Sequence, residues 1–151
     1  QPHLTLMVGY PWETKEDAYK TLKLARYLMV NGLAHHLQAT VVMPYPGTPL
    51  FELCQRNGWI RFDETDYSRY DMTEPVCVLT DMDESEVVQM AGQFYKIFMH
   101  PKFLMHQMKH LNSMEDLDYM MRGAKAIFGH IKDFAHIRRN HGQGSVPLAA
   151  K

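Results

Sequence analysis

The sequence predicts an α/β fold, with two strand–helix units near the N-terminus and a mainly helical region after them. Three observations lead there. A short apolar run, Leu4 to Val8, stops at Gly9. A second run, Leu37 to Met43, carries β-branched Thr40, Val41 and Val42 at its centre. Between the two, Ala18, Leu22, Ala25, Leu28 and Met29 recur at helical spacing.

The first run is too short for a helix, and flanking Gly and Pro favour a buried strand. Tyr10-Pro11-Trp12-Glu13 reads as a loop. Thr14, with Asp17 three residues on, resembles a capping box in which Asp replaces the usual Glu. Asn31-Gly32 is a natural helix stop. The second run is apolar on both faces apart from Gln38 and Thr40, which suits a parallel sheet covered by helices. Strand, helix and strand in this order make a βαβ unit with a right-handed crossover.

The stretch Met43-Pro44-Tyr45-Pro46-Gly47-Thr48-Pro49-Leu50 then ends the strand and starts a helix. Pro44 and Pro46 lack amide donors, so the ladder stops. Thr48 is placed to cap the next helix, with Pro49 at its first position. Leu50, Leu53 and Cys54 give that helix an apolar face, and Gly58 closes it. Trp59-Ile60 turns back onto the body. Residues 61–82 read as an irregular aromatic segment, with one short strand at Val76 to Leu79. Asp83 to His100 reads as a helix with Val87, Val88, Ala91, Phe94, Tyr95 and Phe98 on one side. Pro101 breaks it, and Phe103 to His110 is a further short helix. Ser113 and Asp116 cap a last helix whose apolar positions are Leu117, Met120, Met121, Ala124, Ile127 and Phe128. The expected organisation is 1–60 for the strand–helix units, 61–140 for the helical region and 141–151 for a disordered tail.

The chain has 151 residues and a formal net charge of −1, from sixteen basic and seventeen acidic residues. That balance argues against a nucleic-acid partner, and no apolar run is long enough for a membrane span. Two cysteines, Cys54 and Cys77, make no disulfide framework and point to a cytoplasmic setting. Both read as ordinary buried thiols. The opening Gln-Pro-His, without Met, suggests a processed or excised piece.

Few residues stand out as chemical. His106 and His110 share a helix face at a spacing that suits a metal, yet no Glu follows His106 and no third ligand is evident. They read as exposed helix histidines, and His35 and His36 read as solvated. Arg138 and Arg139, with His136 and His141, form a small basic patch of a solvated terminus. Glu13 sits just before a helix, where its charge is favourable.

The two strand ends carry a resemblance. Gly9-Tyr10-Pro11-Trp12-Glu13-Thr14 resembles a Gly-Leu-Pro-Gly-Glu-Thr segment of radical S-adenosylmethionine enzymes, and Pro44-Tyr45-Pro46-Gly47-Thr48-Pro49-Leu50 resembles the segment after their next strand. Tyr70-Asp71-Met72 and Phe94-Tyr95-Lys96-Ile97-Phe98 are similar to the C-terminal region of the cobalamin-binding group, which includes anaerobic magnesium-protoporphyrin monomethyl ester oxidative cyclases. The resemblance implies the last units of a partial (β/α) barrel holding S-adenosylmethionine and a [4Fe–4S] cluster, with cobalamin in some members, in a longer protein acting on a small molecule. It places Met7, Val8 and Gly9 near the adenine, Met43 and Pro44 against the adenine face, Tyr45 at the pocket mouth, and Glu13 in support of the loop. Trp12 departs from the glycine usual there. The CxxxCxxC cluster motif is missing, so this chain by itself is expected to bind no cofactor and catalyse nothing.

Two other readings stand beside it. One is a non-catalytic α/β binding or oligomerisation module, and the other is a tRNA-modifying relative of the methylthiotransferases. In the enzyme reading the natural partner is the remainder of the protein's own full-length chain. In isolation, unpaired strand edges predict a homodimer or a rearranged sheet.

Overall fold

A computed structural model describes residues 2–63, 65–70, 72, 75–79, 81–109, 118, 121–129 and 132. Two strands, β1 (His3–Val8) and β2 (His36–Val41), pair in parallel, with His3 opposite His36 and Val8 opposite Val41. Helix α1 (Lys15–Val30) connects them, which is the βαβ unit the sequence predicts. The pairing runs one bond further, from the Val42 N–H to the Val8 carbonyl at 2.9 Å. Then Pro44, which is buried and has no N–H, ends it.

The helix boundaries follow local chemistry. Thr14 caps α1: its Oγ1 accepts from the Asp17 N–H at 3.2 Å and donates to the Asp17 carboxylate at 2.7 Å. At the other end the Asn31 amide and its side-chain Nδ2 both donate to the Tyr27 carbonyl, and Gly32 takes a left-handed φ of +70°. Helix α2 (Pro49–Arg56) has Thr48 as its cap and Pro49 in its first turn. Helix α3 (Glu84–Lys96) opens on a full capping box between Asp83 and Glu86. Pro101 does break the helical run, but it also starts α4 (Pro101–Met108) after a 3-10 turn over Ile97–Met99. Residues 121–129 form a further helix, α5, whose Ile127 packs on the core.

One apolar cluster joins the sheet to its helices. Val8, Leu37, Ala39 and Val41 meet Ala18, Ala25 and Met29 of α1 and Val87, Met90, Ala91 and Phe94 of α3. A second, smaller cluster lies beyond the strand ends, where Met43, Cys54, Val76 and Cys77 are covered by Trp59, Ile60, Phe62 and Tyr70.

The sheet differs from expectation in three ways. It has two strands, and no barrel is formed by the described residues. Burial alternates along both strands, so only one face is covered, while His3, Thr5, Met7 and Gln38 lie exposed on the other. Leu37, Ala39 and Val41 are the inward set, and Thr40 is a half-buried outward residue rather than part of a two-sided apolar strand. The short strand expected at Val76 to Leu79 is reduced to one antiparallel bridge between Ile60 and Cys77. Its flanking bonds are Arg61 N–H to Val76 carbonyl at 3.1 Å and Val78 N–H to Trp59 carbonyl at 2.7 Å.

The two edges of the sheet are unlike. In a parallel pair, alternate residues turn their N–H and C=O groups outward. On β2 several of these are engaged: the Tyr95 hydroxyl donates to the Ala39 carbonyl at 2.9 Å, and the Val41 N–H reaches the Met72 carbonyl at 3.3 Å. On β1, no described residue pairs with the outer edge.

The histidines are less solvated than their sequence context suggests. His35 and His36 are half-buried, and the His36 ring lies 5.9 Å from that of His3. His106 is half-buried too, against Gly32, where a Cβ would come within 3.2 Å of its Nδ1. His110, the Ser113–Asp116 cap, Asp71, the basic patch at 136–141 and the tail 141–151 lie outside the described residues.

Candidate functional site at the strand ends

The carboxyl ends of β1 and β2 place two loops side by side, and Trp59, Ile60, Phe62, Tyr70, Val76 and Cys77 from a third stretch pack against them. In parallel α/β sheets this end is where ligands are held.

The first loop is set by Gly9. Its φ is +95°, and a Cβ there would stand 3.0 Å from Val87 Cγ1 of α3. The glycine is thus required by the close approach of α3. A tight turn follows, closed by the Glu13 N–H to the Tyr10 carbonyl at 2.9 Å, with Pro11 at its second position. The Glu13 carboxylate folds back to accept the Gly9 N–H at 2.6 Å and also meets the Tyr10 amide. Burial pushes its pKa above the ordinary value, and the two backbone donors only partly offset that. Glu13 therefore braces the loop, and the helix-terminus charge role is secondary.

Further along, Lys15 ties this corner to α3. Its ammonium pairs with Glu86, and its N–H donates to Asp81 at 2.8 Å.

Aromatic side chains dominate what is left open. Trp12 stands between Tyr10 (5.4 Å between ring centroids) and Trp59 (6.1 Å) and is 50% exposed. Tyr45, 40% exposed, stacks on Tyr70 at 5.8 Å with an interplanar angle of 23°. Phe62 and Tyr67 contact the same Tyr70 ring. Met7 is exposed on the uncovered face beside this band, its sulfur 3.7 Å from the Tyr10 hydroxyl.

The residues singled out from the sequence fall into two sets. Met7, Glu13 and Tyr45 reach solvent at least in part, while Val8, Gly9, Met43 and Pro44 are buried. Gly9 follows Val8 and Met43 follows Val42, so the set does gather at one end of the sheet. What the sequence reading missed is the pairing of Trp12 with Trp59 and of Tyr45 with Tyr70. The signal was there in the aromatic density of residues 59–70, but contacts between loops leave no periodic trace. Met72 was missed too. It adopts a left-handed φ of +61°, a conformation rare for a residue with a side chain, and so presents its carbonyl to β2.

Chemically this end offers ring faces, a thioether and one braced carboxylate. Among the described residues no three histidine, cysteine or carboxylate side chains converge as metal ligands. Cys54 and Cys77 lie together inside the smaller cluster as free thiols. Burial pushes the Cys77 pKa up to about 12, and that of Cys54 upward as well. These are inert interior thiols, and two cysteines in the whole sequence do not fit a [4Fe–4S] cluster.

Comparison with known proteins gives a different likeness. The chain is similar to PH0819 of Pyrococcus horikoshii, an uncharacterized methyltransferase, with 27% identity over 101 residues. The match covers 66% of this chain but 21% of that protein, so the chain spans about a fifth of its relative's length. No protein-family model matches the chain, and no solved structure does. The radical S-adenosylmethionine resemblance is thereby corrected, together with the iron–sulfur, cobalamin and magnesium-protoporphyrin cyclase assignments that came with it. The similarity found is to a methyltransferase. The loop motifs behind the earlier assignment are accounted for locally by a glycine packed on Val87, a carboxylate bracing a turn, and prolines ending a strand.

No helix among the described residues is long and apolar enough to cross a membrane.

Proposed function

We propose that this chain is one βαβ portion of a larger methyltransferase-like protein, and that its strand ends form one wall of a pocket for the methyl donor, S-adenosylmethionine. The similarity to PH0819 carries this reading. The structure supports it physically. A parallel sheet ordinarily has both faces covered, and two strands make a marginal sheet. Here, among the described residues, one face and one edge are bare. The β2 edge is closed by Tyr95 and Met72, so further strands would add beside β1. In that arrangement β2 ends the larger sheet or partial barrel, and Met7 and Tyr45 face the shared pocket. Exposed ring faces at Trp12 and Tyr45 suit the adenine ring and the sulfonium cation.

The test is hydrogen exchange by mass spectrometry on the longer protein, with and without S-adenosylhomocysteine. Added protection in peptides spanning residues 7–13 and 43–48 is expected. Binding that protects neither peptide would refute the assignment.

A second reading, a binding module without chemistry, is favoured by the bare β1 edge. It expects self-association of this chain that proline substitution at Thr5 abolishes.

A further inference from the structure

Away from the strand ends, the C-terminal half of α1 and the start of α4 bound a groove of about 370 Å³. Lys23, Arg26 and Tyr27 enter it from one face of α1, at relative positions i, i+3 and i+4. His100 and Lys102 enter from the other side. No carboxylate lines it among the described residues.

The groove gathers three cations at one place. The chain has a net charge of −1, and several of its other cations are neutralised. Lys15 pairs with Glu86, Lys20 with Glu16 and Asp17, Arg61 with Glu84, and Arg122 with Asp118. Among the described residues, Lys23, Arg26 and Lys102 have no such partner. Three like charges facing one concavity raise the local concentration of anions.

Near the end of α1 the carbonyls of Tyr27, Leu28 and Met29 are occupied by the Asn31 amide and side chain, Gly32, Leu33 and Ala34, which reduces the negative end the helix presents to an anion. The start of α4 contributes positive potential from the opposite wall.

We propose that this groove binds a phosphorylated small molecule of nucleotide size, separately from the strand-end site. Arginine and lysine together match a phosphate, with the guanidinium fork giving two parallel bonds and the ammonium groups a point charge each. The exposed Tyr27 ring offers a face to a planar group. The volume falls within the range of small-ligand sites, roughly 300–1,000 Å³.

The experiment is a titration of the 15N-labelled chain, followed by amide shifts, with AMP, inorganic pyrophosphate and adenosine in parallel. Saturable shifts confined to residues 23–31 and 100–103 are expected with AMP and pyrophosphate and not with adenosine. The double substitution Lys23→Glu with Arg26→Glu should weaken AMP at least tenfold. Lys20→Glu, on the same helix but outside the groove, should leave it unchanged. All three side chains are exposed, so the variants keep the fold, as circular dichroism will show. The proposal is overturned by an absence of shifts with AMP, by shifts with pyrophosphate only, or by equal weakening from Lys20→Glu, which would mark a general charge effect.

Discussion

The two edges of the small sheet are built on opposite principles. Along β2 the outward groups of Ala39 and the amide of Val41 are used: the hydroxyl of Tyr95 takes those of Ala39, and the loop carbonyl of Met72 takes the amide of Val41. Along β1 the outward groups of His3, Thr5 and Met7 have no such partner among the described residues. An open edge is a template for another strand, and a closed one is a terminus. The sheet therefore has a direction of growth, set by a buried tyrosine on α3 and a backbone strained at Met72.

The strongest way to break this contrast is to loosen α3 from the sheet. Phe94 is fully buried between α3 and the strands. Phe94→Ala should cost about 3–5 kcal/mol of stability, read by denaturant unfolding. A sharper cut removes only the hydroxyl. Tyr95→Phe leaves the ring in place but strips Ala39 of its partner, for about 1–3 kcal/mol. It should also speed amide exchange at Ala39 and give β2 a second open edge, visible as concentration-dependent association in light scattering.

Glu13 tests the corner where the two edges meet the loops. Glu13→Ala leaves the Gly9 amide without its acceptor and should cost about 1 kcal/mol, while Glu13→Gln keeps an oxygen there and should cost less. Because burial raises the folded pKa, the charge itself costs stability. The contribution of Glu13 is fullest below pH 4.5 and declines as pH rises through the elevated folded value. Glu13→Gln should remove that decline.

A further effect lies at high pH. Cys77, Cys54 and Tyr95 all ionise later in the folded chain than in the unfolded one. The unfolded state gives up its protons first, so stability should fall as pH rises from about 9 toward about 12, the limits set by Cys77. At neutral pH neither thiol should react with a disulfide reagent until the chain unfolds.

The readable parts of the sequence were those governed by short-range rules. Thr14 and Thr48 announced their helices by hydrogen bonds that span three residues, and the structure adds the same kind of cap at Asp83. Val87, Val88, Ala91, Phe94 and Tyr95 announced the buried face of α3 by period. The same rules misread β2. Val42 and Met43 are apolar and buried, yet they belong to the strand's exit and the second cluster, so counting them made the strand look two-sided. The site was legible only in position. Proline and glycine placed the loops, but Trp12 on Trp59 and Tyr45 on Tyr70 join residues 47 and 25 apart in sequence, and no local pattern encodes such pairs. The role of Tyr95 was hidden for the same reason: its ring fits the apolar period of α3, while its hydroxyl serves a strand 56 residues away.

The most direct test of this edge asymmetry is residue-resolved amide hydrogen exchange on the isolated chain. Ala39 and Val41, whose amides meet Tyr95 and Met72, should be protected, while Thr5 and Met7, facing outward from β1, should exchange nearly as fast as an unstructured chain. Equal protection of Thr5 and Met7 would contradict the account, because the β1 edge would then be covered and the sheet would have no side left on which to grow.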